Sequence, residues 1–582
     1  MIFADGVKIL SELKKKRLIK DADENVAAFL CGFEEDEEKR EVIAAVSALL
    51  FVWISSGNIC ITKEVIEKFI KDNPEIAFPN WEKIKNILSQ SCCCTRNPEN
   101  EQKPIVLADG KIYFYKYWLY EDSLAGKVLK LSRHGGHYTE RANDIINIFS
   151  KLFNDPKSSE QKKAAETVIR NRFSVITGGP GTGKTTTIAN MIAGILSICP
   201  EERIVLAAPT GKAAARMTDA LKSATENIKG LVEEKVFQKM ISLEGLTLHR
   251  ILGMKFGKPE KNRLNPINAD LVIVDEASMV DILLFSELLE ALSEKTSLIL
   301  LGDKDQLASV DVGNVFSDIC SAAEAGLFDI DIMAVLTTSR RFDVNSGVGK
   351  LAKAVNAQRG IDEVVNICRE EHDLEFYEVS PATKVKDAVA CAVEKYRFLS
   401  DENLEPREIL EKLNDFKILC PSKEDVFGVD NINREIETAL KVDLSDVFYN
   451  GRPIMITKND YANNLMNGDC GVILRREKKT KAWFFQGNEA KSFDISDLST
   501  FETVYATTIH KSQGSEYESV LVIMPKRYMP MLTKELFYTA ITRAKTNLGI
   551  VSSTEVLENT LKNAADRNSG FKESLEKAKK HS

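Results

Sequence analysis

The stretch with the clearest chemistry is a run of glycines that ends in Lys-Thr-Thr. It reads Gly178-Gly179-Pro180-Gly181-Thr182-Gly183-Lys184-Thr185-Thr186, between an apolar strand at 173–177 and an apolar helix. Such glycines let backbone N–H groups curl around phosphate oxygens, and the helix adds its positive dipole end. We therefore expect a nucleoside triphosphate here, with Lys184 on the β- and γ-phosphates and the Thr185 hydroxyl on Mg²⁺. A chance glycine turn is the alternative, which the strand–helix context disfavours.

Two carboxylates follow a second apolar strand, at 271–274. In a doubly wound sheet, ligands bind at this end of the strands. Asp275 is predicted to hold Mg²⁺, and Glu276 to orient and deprotonate the attacking water, which separates hydrolysis from binding alone. A helix N-cap is the other interpretation of Asp-Glu before an apolar helix. The phosphate loop in the same chain favours catalysis.

Three further side chains extend the predicted ATP site. Gln306 follows the next strand and can hydrogen-bond both water and γ-phosphate, and so sense ATP against ADP. Arg341 closes the first α/β region and Arg543 lies in the second, and charge on a transferred phosphoryl group needs such cations. If the two regions face each other across ATP, hydrolysis would open and close the cleft. Surface salt bridging is the alternative for any single arginine.

Three short polar segments are candidates for contact with nucleic acid. Hydroxyls, cations and backbone amides at strand ends suit contacts to the phosphate backbone that carry no sequence information. The candidate DNA contacts are Pro209, Thr210, Lys212, His249, Thr508, His510, Lys511 and Ser512. For the two histidines, a structural role is equally open.

The arrangement of strands and helices predicts how these residues are positioned. Between about 155 and 343, short apolar strands alternate with helical stretches, which predicts a parallel sheet covered on both faces. Residues 254–266, rich in Gly, Lys and Pro, predict an inserted hairpin or loop. A second set of strands, at 416–420, 505–508, 520–524 and 548–552, predicts a second α/β domain. Within it, residues 449–498 show short strands and Gly or Asn turns, as in a small β-barrel.

The two ends of the chain carry no nucleotide chemistry. Residues 1–154 are mainly helical, with an apolar helix at 42–54 and a hairpin that turns at Asp109-Gly110. The tail from about 568 is charged, and we expect it to fray. The predicted domains are therefore 1–154, 155–343 and 344–582.

Composition limits the classes of protein. A chain of 582 residues has room for two to four domains, and its net charge of −8 places any DNA contact in a local groove. The 11 cysteines lack metal-ligand spacing, and three of them, 92–94, are adjacent. Reduced thiols, the absence of a signal peptide and the absence of a membrane-spanning run predict a cytoplasmic protein.

Six segments resemble, in order and spacing, the motifs of superfamily 1 helicases. They lie at 178–185, 208–214, 274–279, 301–307, 508–516 and 538–545. Gln161 resembles the adenine-reading glutamine that precedes the phosphate loop in that superfamily. The resemblance covers about residues 160–552 and is most similar to the RecD branch at 247–253, 275–281 and 339–342, and more loosely at 107–118.

The resemblance implies an architecture and an activity. It implies two RecA-like motor domains, a helical N-terminal domain that meets partners, and a β-barrel insertion in the second motor domain. The implied activity is ATP-driven 5′-to-3′ movement on single-stranded DNA, with ATP and Mg²⁺ bound. The implied partners are a RecB-like helicase-nuclease chain and a RecC-like scaffold chain, which act together on broken duplex ends in recombinational repair.

The sequence departs from the family pattern at two places. Arg340 stands where the family has an aromatic residue before the finger arginine. Residues 254–266, where relatives have a strand-separating pin, carry only Phe256 as an aromatic side chain.

Three other functions stay open. A stand-alone helicase of the same branch is the nearest, although an N-terminal region of only about 150 residues favours a complex subunit. A non-motor interaction subunit with a vestigial ATP site is opposed by the complete set of predicted catalytic residues. A nuclease in this chain lacks an acidic cluster with an adjacent lysine, so DNA degradation is expected in a partner.

Overall fold

The fold is taken from a computed structural model. It describes residues 7–133, 135–339, 346–460, 462–476, 479–487, 489–565 and 567–581. In this part of the chain no helix is both long enough and apolar enough to span a membrane.

The described residues of the N-terminal region form seven α-helices and one small mixed sheet. Its elements are α1 (Lys8–Lys15), α2 (Asp21–Cys31), α3 (Glu37–Ser55), α4 (Lys63–Asp72), α5 (Trp81–Gln90), β1 (Cys94–Thr95), β2 (Ile105–Ala108), β3 (Lys111–Phe114), α6 (Tyr115–Arg133) and α7 (Ala142–Leu152). The predicted apolar helix lies within α3, which is buried along most of its length. Asp109 and Gly110 adopt positive φ between β2 and β3, as the predicted hairpin turn requires.

The last two helices of this region pack on the neighbouring domain. Helix α6 contributes Leu124 and Val128 to a core that also contains strands of the first motor domain. Helix α7 contributes Ile145 and Phe149 to a core on the other face of the same sheet. Residues 115–152, placed in the N-terminal domain on sequence, therefore lie against the first motor sheet.

The first motor domain is a parallel sheet with helices on both faces. Its elements are α8 (Ser159–Arg170), β4 (Phe173–Gly178), α9 (Lys184–Ile198), β5 (Ile204–Ala208), α10 (Gly211–Glu226), α11 (Glu234–Ile241), β6 (Gly245–Thr247), α12 (Leu248–Ile251), β7 (Leu271–Val274), α13 (Ile282–Glu290), β8 (Ser297–Gly302), α14 (Val315–Glu324) and β9 (Met333–Leu336). The strand order is β6-β5-β7-β8-β4-β9, with every pair parallel. The order reverses beside β4, so the phosphate loop lies at a topological switch point.

The predicted insertion at 254–266 consists of two tight turns. Lys255 and Lys258 exchange two backbone hydrogen bonds around Phe256, and Asn262 and Asn265 do the same around the second turn. Phe256 adopts φ +49°, an uncommon conformation for a side chain of this size. The turns are held to the domain by Leu252, whose carbonyl accepts two backbone N–H groups of the insertion.

The second motor domain has a five-stranded parallel sheet. Its elements up to the insertion are α15 (Gly347–Asn356), α16 (Ile361–Glu370), β10 (Leu374–Glu378), α17 (Val385–Val393), α18 (Pro406–Asp415), β11 (Phe416–Cys420) and α19 (Val429–Leu440). The inserted antiparallel sheet comprises β12 (Arg452–Ile456), β13 (Cys470–Arg476), β14 (Lys479–Gln486), β15 (Glu489–Asp494) and β16 (Phe501–Thr503). The domain then continues with β17 (Ala506–Thr508), β18 (Tyr517–Ile523), α20 (Lys534–Ile541), β19 (Ala544–Ser552), α21 (Thr554–Lys562) and α22 (Phe571–His581).

The two sheets of this half differ in direction. The parallel sheet has the order β10-β19-β18-β11-β17. The inserted sheet has the order β15-β14-β13-β12-β16 and is antiparallel throughout. Its small core contains Ile454, Ile473 and Phe484. Two parallel α/β sheets thus confirm the predicted pair of motor domains.

The expectation that the C-terminal tail frays is wrong. Helix α22 packs on α6, with Phe571 and Leu575 buried in the core of the first motor domain. Before the helix, the Arg567 guanidinium donates to the carbonyls of Asp311 (3.0 Å) and Gly313 (2.7 Å). The charges on the tail concealed an apolar stripe at helical spacing, and burial of that stripe stabilises the helix.

Candidate nucleotide-binding site

The glycine loop leaves β4 at the carboxyl edge of the first sheet. Gly181 and Gly183 adopt φ of +74° and +83°, which side chains other than glycine rarely tolerate. A Cβ at Gly183 would also lie 1.9 Å from the Gln161 side-chain nitrogen. The loop therefore requires glycine at this position for two separate reasons.

The side chains of Gln161 and Lys184 both donate hydrogen bonds to backbone carbonyls of the loop. The Gln161 amide nitrogen donates to the Thr182 carbonyl at 3.1 Å, and its Oε1 is buried with no hydrogen-bond partner among the described residues. The Lys184 ammonium donates to the carbonyls of Gly178 (2.5 Å) and Gly179 (3.2 Å). An unpaired buried acceptor is costly, so the Gln161 amide is suited to receive a donor from a ligand.

Asp275 and Glu276 follow β7 and lie beside the loop. Burial, followed by the negative charge of Glu276, raises the pKa of the Asp275 carboxyl to about 6, and Lys184 opposes this shift. Asp275 Oδ1 accepts the backbone N–H of Glu276 at 2.9 Å. Glu276 adopts a left-handed conformation, with φ 52° and ψ 39°. Such a backbone is strained for glutamate, as is common at functional sites.

Gln306 lies near a buried carboxylate that sequence reasoning missed. Its amide nitrogen donates to Asp303 at 3.1 Å, and the hydroxyl of Tyr538, from the second motor domain, donates to the same carboxylate at 3.1 Å. Burial raises the pKa of Asp303 to about 6. Next to it, the backbone N–H of Leu307 donates to the Thr539 hydroxyl at 2.8 Å. Helix α20 is thereby attached to the segment that carries Gln306.

One cavity of about 390 Å³ brings these groups together across the two motor domains. The first domain supplies residues from the loop and from the ends of β7 and β8, and the second supplies the segment before β18 and the end of α20. The lining includes Pro180, Gly181, Thr182, Gly183, Lys184, Thr185, Thr186, Arg216, Asp275, Glu276, Gln306, Gly514, Glu516 and Arg543. Gln161 supports the loop from behind, and Arg341 lies outside the described residues.

Arg543 is held against the second domain by backbone carbonyls. It is only 2% exposed, and it donates to the carbonyls of Thr539 and Ser515, each at 3.1 Å. These contacts restrict the Arg543 side chain and hold its charge at the cavity, as in a preorganised catalytic site.

Arg216 and Glu516, which sequence reasoning also missed, form an ion pair between the domains at this cavity. Arg216 is four residues beyond Lys212 on α10, and Glu516 ends the motif that contains His510. Glu516 belongs to a motif that the sequence indicated and Arg216 lies two residues beyond another, but only the fold reveals that their side chains meet.

The candidate DNA contacts divide between exposed and enclosed positions. Pro209, Thr210 and Lys212 follow β5 and are half-buried, and the Thr210 hydroxyl caps α10 by accepting from Ala213 at 3.2 Å. His249 is exposed on α12.

The second candidate segment, after β17, is more enclosed. The Thr508 hydroxyl accepts the Lys511 backbone N–H at 3.3 Å, and the Lys511 ammonium pairs with Glu502 at 2.5 Å. Burial, with the charge of Arg567, lowers the pKa of His510. Ser512 is fully buried and donates to the Ile509 carbonyl, a position that does not fit the predicted DNA contact.

These two segments meet where the motor domains adjoin. A Cβ at Gly514 would lie 3.6 Å from the Ala213 side chain. A Cβ at Gly211 would lie 2.9 Å from the side chain of Met466, in the segment between β12 and β13. The segment after β5 therefore adjoins both the segment after β17 and the loop that carries Met466, next to the cavity.

Two family models match parts of this chain. Residues 161–312 match the family model of an AAA domain, and residues 503–551 match that of a UvrD-like helicase C-terminal domain. The chain is 32% identical to the RecBCD enzyme subunit RecD of Mycolicibacterium smegmatis, over 96% of this chain and 98% of the relative. It is 28% identical to the RecBCD enzyme subunit RecD of Haemophilus influenzae, over 98% and 99%.

Two further alignments cover about two thirds to three quarters of this chain. The ATP-dependent RecD2 DNA helicase of Deinococcus radiodurans is 28% identical over 67% of this chain and 48% of its own length. Among solved structures, a Pif1 helicase aligns with 73% of this chain and 97% of its own at 18% identity, with a TM-score of 0.40.

Proposed function

The chain belongs to the RecD family and is an ATP-dependent DNA helicase, and we propose that it moves 5′-to-3′ on single-stranded DNA as one subunit of a RecBCD-like complex. The observation that carries this proposal is the shared cavity. Lys184 and Glu276 from the first motor domain and Arg543 from the second line the same space. A site divided in this way couples the chemistry of ATP to the relative position of two domains.

Four residues of the cavity have proposed roles in ATP hydrolysis. Lys184 contacts the β- and γ-phosphates, and Glu276 takes the proton of the attacking water. Gln306 senses the γ-phosphate. Arg543 stabilises the charge that develops on the transferred group, and we keep Arg341 as the predicted second finger.

The donor set of the cavity fits Mg²⁺. The Thr185 hydroxyl and the Asp275 carboxylate both line it, and oxygen ligands are those that Mg²⁺ prefers. Asp275 has a pKa raised to about 6, mainly by burial, and a nearby cation would relieve the cost of its charge. Bound there, Mg²⁺ would neutralise phosphate charge. The protein's own residues hold and orient the reactants.

Movement is proposed to follow from closure of the two motor domains. The Tyr538–Asp303 and Thr539–Leu307 hydrogen bonds join α20 to the segment that carries Gln306. A change at the γ-phosphate that moves Gln306 would therefore act directly on the second domain. The DNA would lie against the segments after β5 and β17, which adjoin at the domain boundary.

We propose the subunit role on the extent of similarity. The alignments with the RecD subunits cover nearly the whole length of both aligned chains, whereas the alignment with the RecD2 helicase covers less than half of that helicase. The N-terminal region also exposes an aromatic pair, Phe29 and Phe33, with ring centroids 5.1 Å apart. Exposed aromatics suit a protein partner, here a RecB-like helicase-nuclease or a RecC-like scaffold.

We also propose the domain limits, the shape of the inserted sheet and the cellular location. We keep the domain limits 1–154, 155–343 and 344–582, and we propose that the inserted sheet curls into a small barrel. The free cysteines of the described chain support a cytoplasmic location.

Unwinding of duplexes with one single-stranded tail tests the function. We expect the purified chain to unwind duplexes with a 5′ tail and to leave 3′-tailed duplexes intact, with a faster rate when candidate partners are added. The Lys184→Gln variant should lose both DNA-stimulated ATPase and unwinding, since the loop lysine contacts the phosphates. Unwinding only from 3′ tails would refute the polarity. A wild-type chain with no DNA-stimulated ATPase would support a vestigial ATP site instead.

A further inference from the structure

An arginine on the first motor domain is held by the second at the edge of the nucleotide cavity. Arg216 lies on α10, and its guanidinium forms an ion pair with the Glu516 carboxylate. It also donates to the Gly514 carbonyl at 3.1 Å. The Arg216 side chain is 38% exposed and that of Glu516 is 14% exposed, so the pair is enclosed mainly on the Glu516 side.

The segment 514–516 binds two arginines from two different domains. Arg216 contacts Gly514 and Glu516, whereas Arg543 donates to the carbonyl of the residue between them, Ser515, at 3.1 Å. Both arginines line the cavity beside Glu276. The positive charge of Arg216 also lowers the pKa of Asp275 and thus reaches the end of the cavity where Mg²⁺ is proposed.

We propose that Arg216 is a further ATP-binding residue and that the γ-phosphate of ATP draws it away from Glu516. The inference rests on the proposed function, because it requires the triphosphate to lie in this cavity. Glu516 then acts as a competing anion that neutralises Arg216 when no γ-phosphate is near. The inter-domain ion pair breaks when ATP binds and forms again after hydrolysis.

The chemistry of the two anions favours this exchange. A guanidinium binds phosphate oxygens through two parallel charge-assisted hydrogen bonds, and a terminal phosphate carries more charge than one carboxylate. Arg216 lines the same cavity as Asp275 and Glu276, the residues proposed for the metal and the attacking water. The proposal therefore places its guanidinium at the γ-phosphate. ADP lacks that group, and the ion pair with Glu516 should persist in its presence. A ligand shifts such an equilibrium only by its different affinity for the two states.

Binding of two nucleotides to three variants of the full chain tests the proposal. The probes are Mg²⁺ complexes of adenosine 5′-[β,γ-imido]triphosphate, which is not hydrolysed, and of ADP, measured by titration calorimetry. Arg216→Gln should weaken binding of the triphosphate analogue by about tenfold or more and change ADP binding by less than about twofold. Glu516→Gln should tighten binding of the triphosphate analogue by about threefold or more, because it removes the competitor. Arg216→Lys should lie between wild type and Arg216→Gln.

Opposite effects from the two members of one ion pair distinguish this role from a structural one. An ion pair that only joins the domains would give both variants the same direction of change, for both nucleotides, and that result would overturn the proposal. Arg407→Gln and Glu411→Gln, which break an exposed pair on α18, are the matched controls and should bind as wild type. If wild type shows DNA-stimulated ATPase but Arg216→Gln binds the analogue normally, this inference alone fails. If wild type binds no triphosphate, the proposed function fails with it.

Discussion

Two buried carboxylates near the glycine loop, Asp275 and Asp303, lie in surroundings that disfavour their negative charge. Asp275 and Asp303 both have pKa values raised to about 6, in each case mainly by burial. Each has a compensating partner: Lys184 lies near both, and Tyr538 donates to Asp303. Carboxyl groups with raised pKa values cluster at functional sites, where burial and neighbouring charges adapt them to bind a ligand or to transfer a proton.

A third buried carboxylate, outside the cavity lining, contributes to the dependence of stability on pH. Glu121 of α6 accepts the backbone N–H of Gly570 on both oxygens, at 2.9 Å each. Burial, followed by the charge of Asp318, raises its pKa from 4.5 to about 8, and Lys111 opposes the shift. A raised folded-state pKa means that stability is present in acid and is lost as the pH rises from about 4.5 through about 8.

Replacing Glu121 tests that sign. A glutamine at this position would keep an acceptor for the Gly570 N–H without a charge, so we expect Glu121→Gln to gain stability relative to wild type as the pH rises. The gain between about pH 5 and about pH 9 should exceed about 1 kcal/mol, one pKa unit being about 1.4 kcal/mol. Thermal unfolding of both proteins at each pH measures it. A constant difference across this range would contradict the raised pKa.

Among the elements, the double turn at 254–266 has the most exposed apolar side chains. Phe256 and Leu264 are wholly exposed at the two tips, with Lys258 and Arg263 nearby in the chain. Apolar tips flanked by cations suit a wedge between DNA strands, with the cations on phosphates. The sequence indicated Phe256 but not the second tip, because an isolated Leu in a polar loop gives no pattern.

We expect the wedge to serve unwinding and not ATP hydrolysis. Phe256→Ala combined with Leu264→Ala should keep DNA-stimulated ATPase within about twofold and reduce unwinding several-fold, and deletion of residues 258–263 should have the same effect. A helicase assay run beside an ATPase assay measures both. Leu231→Ala, a change at a partly exposed leucine in the same domain, is the control. Normal unwinding by the double variant would exclude this element as the wedge.

At the scale of elements, strands were easier to predict than packing between helices. The apolar runs that end at Gly178, Val274 and Gly302 are typical of parallel strands buried on both faces. The polar residues that follow them therefore lie at the carboxyl edge of the sheet. The C-terminal helix was missed because seven of its eleven residues are charged or His. Its apolar stripe is short, and only the neighbouring α6 makes it stable.

At the scale of the whole molecule, the C-terminal segment connects the N-terminal region and the two motor domains. Residues 567–581 leave the second motor domain and contact the first at Gly313, the N-terminal region at Asn58, and α6 at Glu121. The guanidinium of Arg567 lies against Gly57, and a Cβ at Gly57 would be 2.7 Å from its central carbon. One short segment thus ties all three regions together.

Truncation after Ala565 should destabilise the whole chain. It removes the buried side chains of Phe571 and Leu575, each worth roughly 1.5–3 kcal/mol of apolar burial, and the Arg567 hydrogen bonds. We expect the midpoint of thermal unfolding to fall by several degrees. Truncation after Lys579 removes Ser582 and the exposed residues Lys580 and His581, and is the control. Equal midpoints for the two truncations would show that the segment carries no stability.

Contacts between the halves of the molecule could not be predicted from sequence. Asp303 and Tyr538 are 235 positions apart, and nothing in either motif indicates that one donates to the other. The ion pair of Arg216 and Glu516 has the same character. Motifs identify residues at a site, but only the packing of the two motor domains determines which of them touch.

The central claim is that one ATP site is built from both motor domains, and Arg543→Gln tests it most directly. The measurement is the steady-state ATPase rate with saturating single-stranded DNA, together with calorimetric binding of the triphosphate analogue as a check on folding. We predict that kcat falls by about a hundredfold or more, as expected when a finger arginine is lost, while the analogue still binds. A variant that hydrolyses ATP at the wild-type rate would show that the second domain contributes no catalytic group, and would contradict the claim.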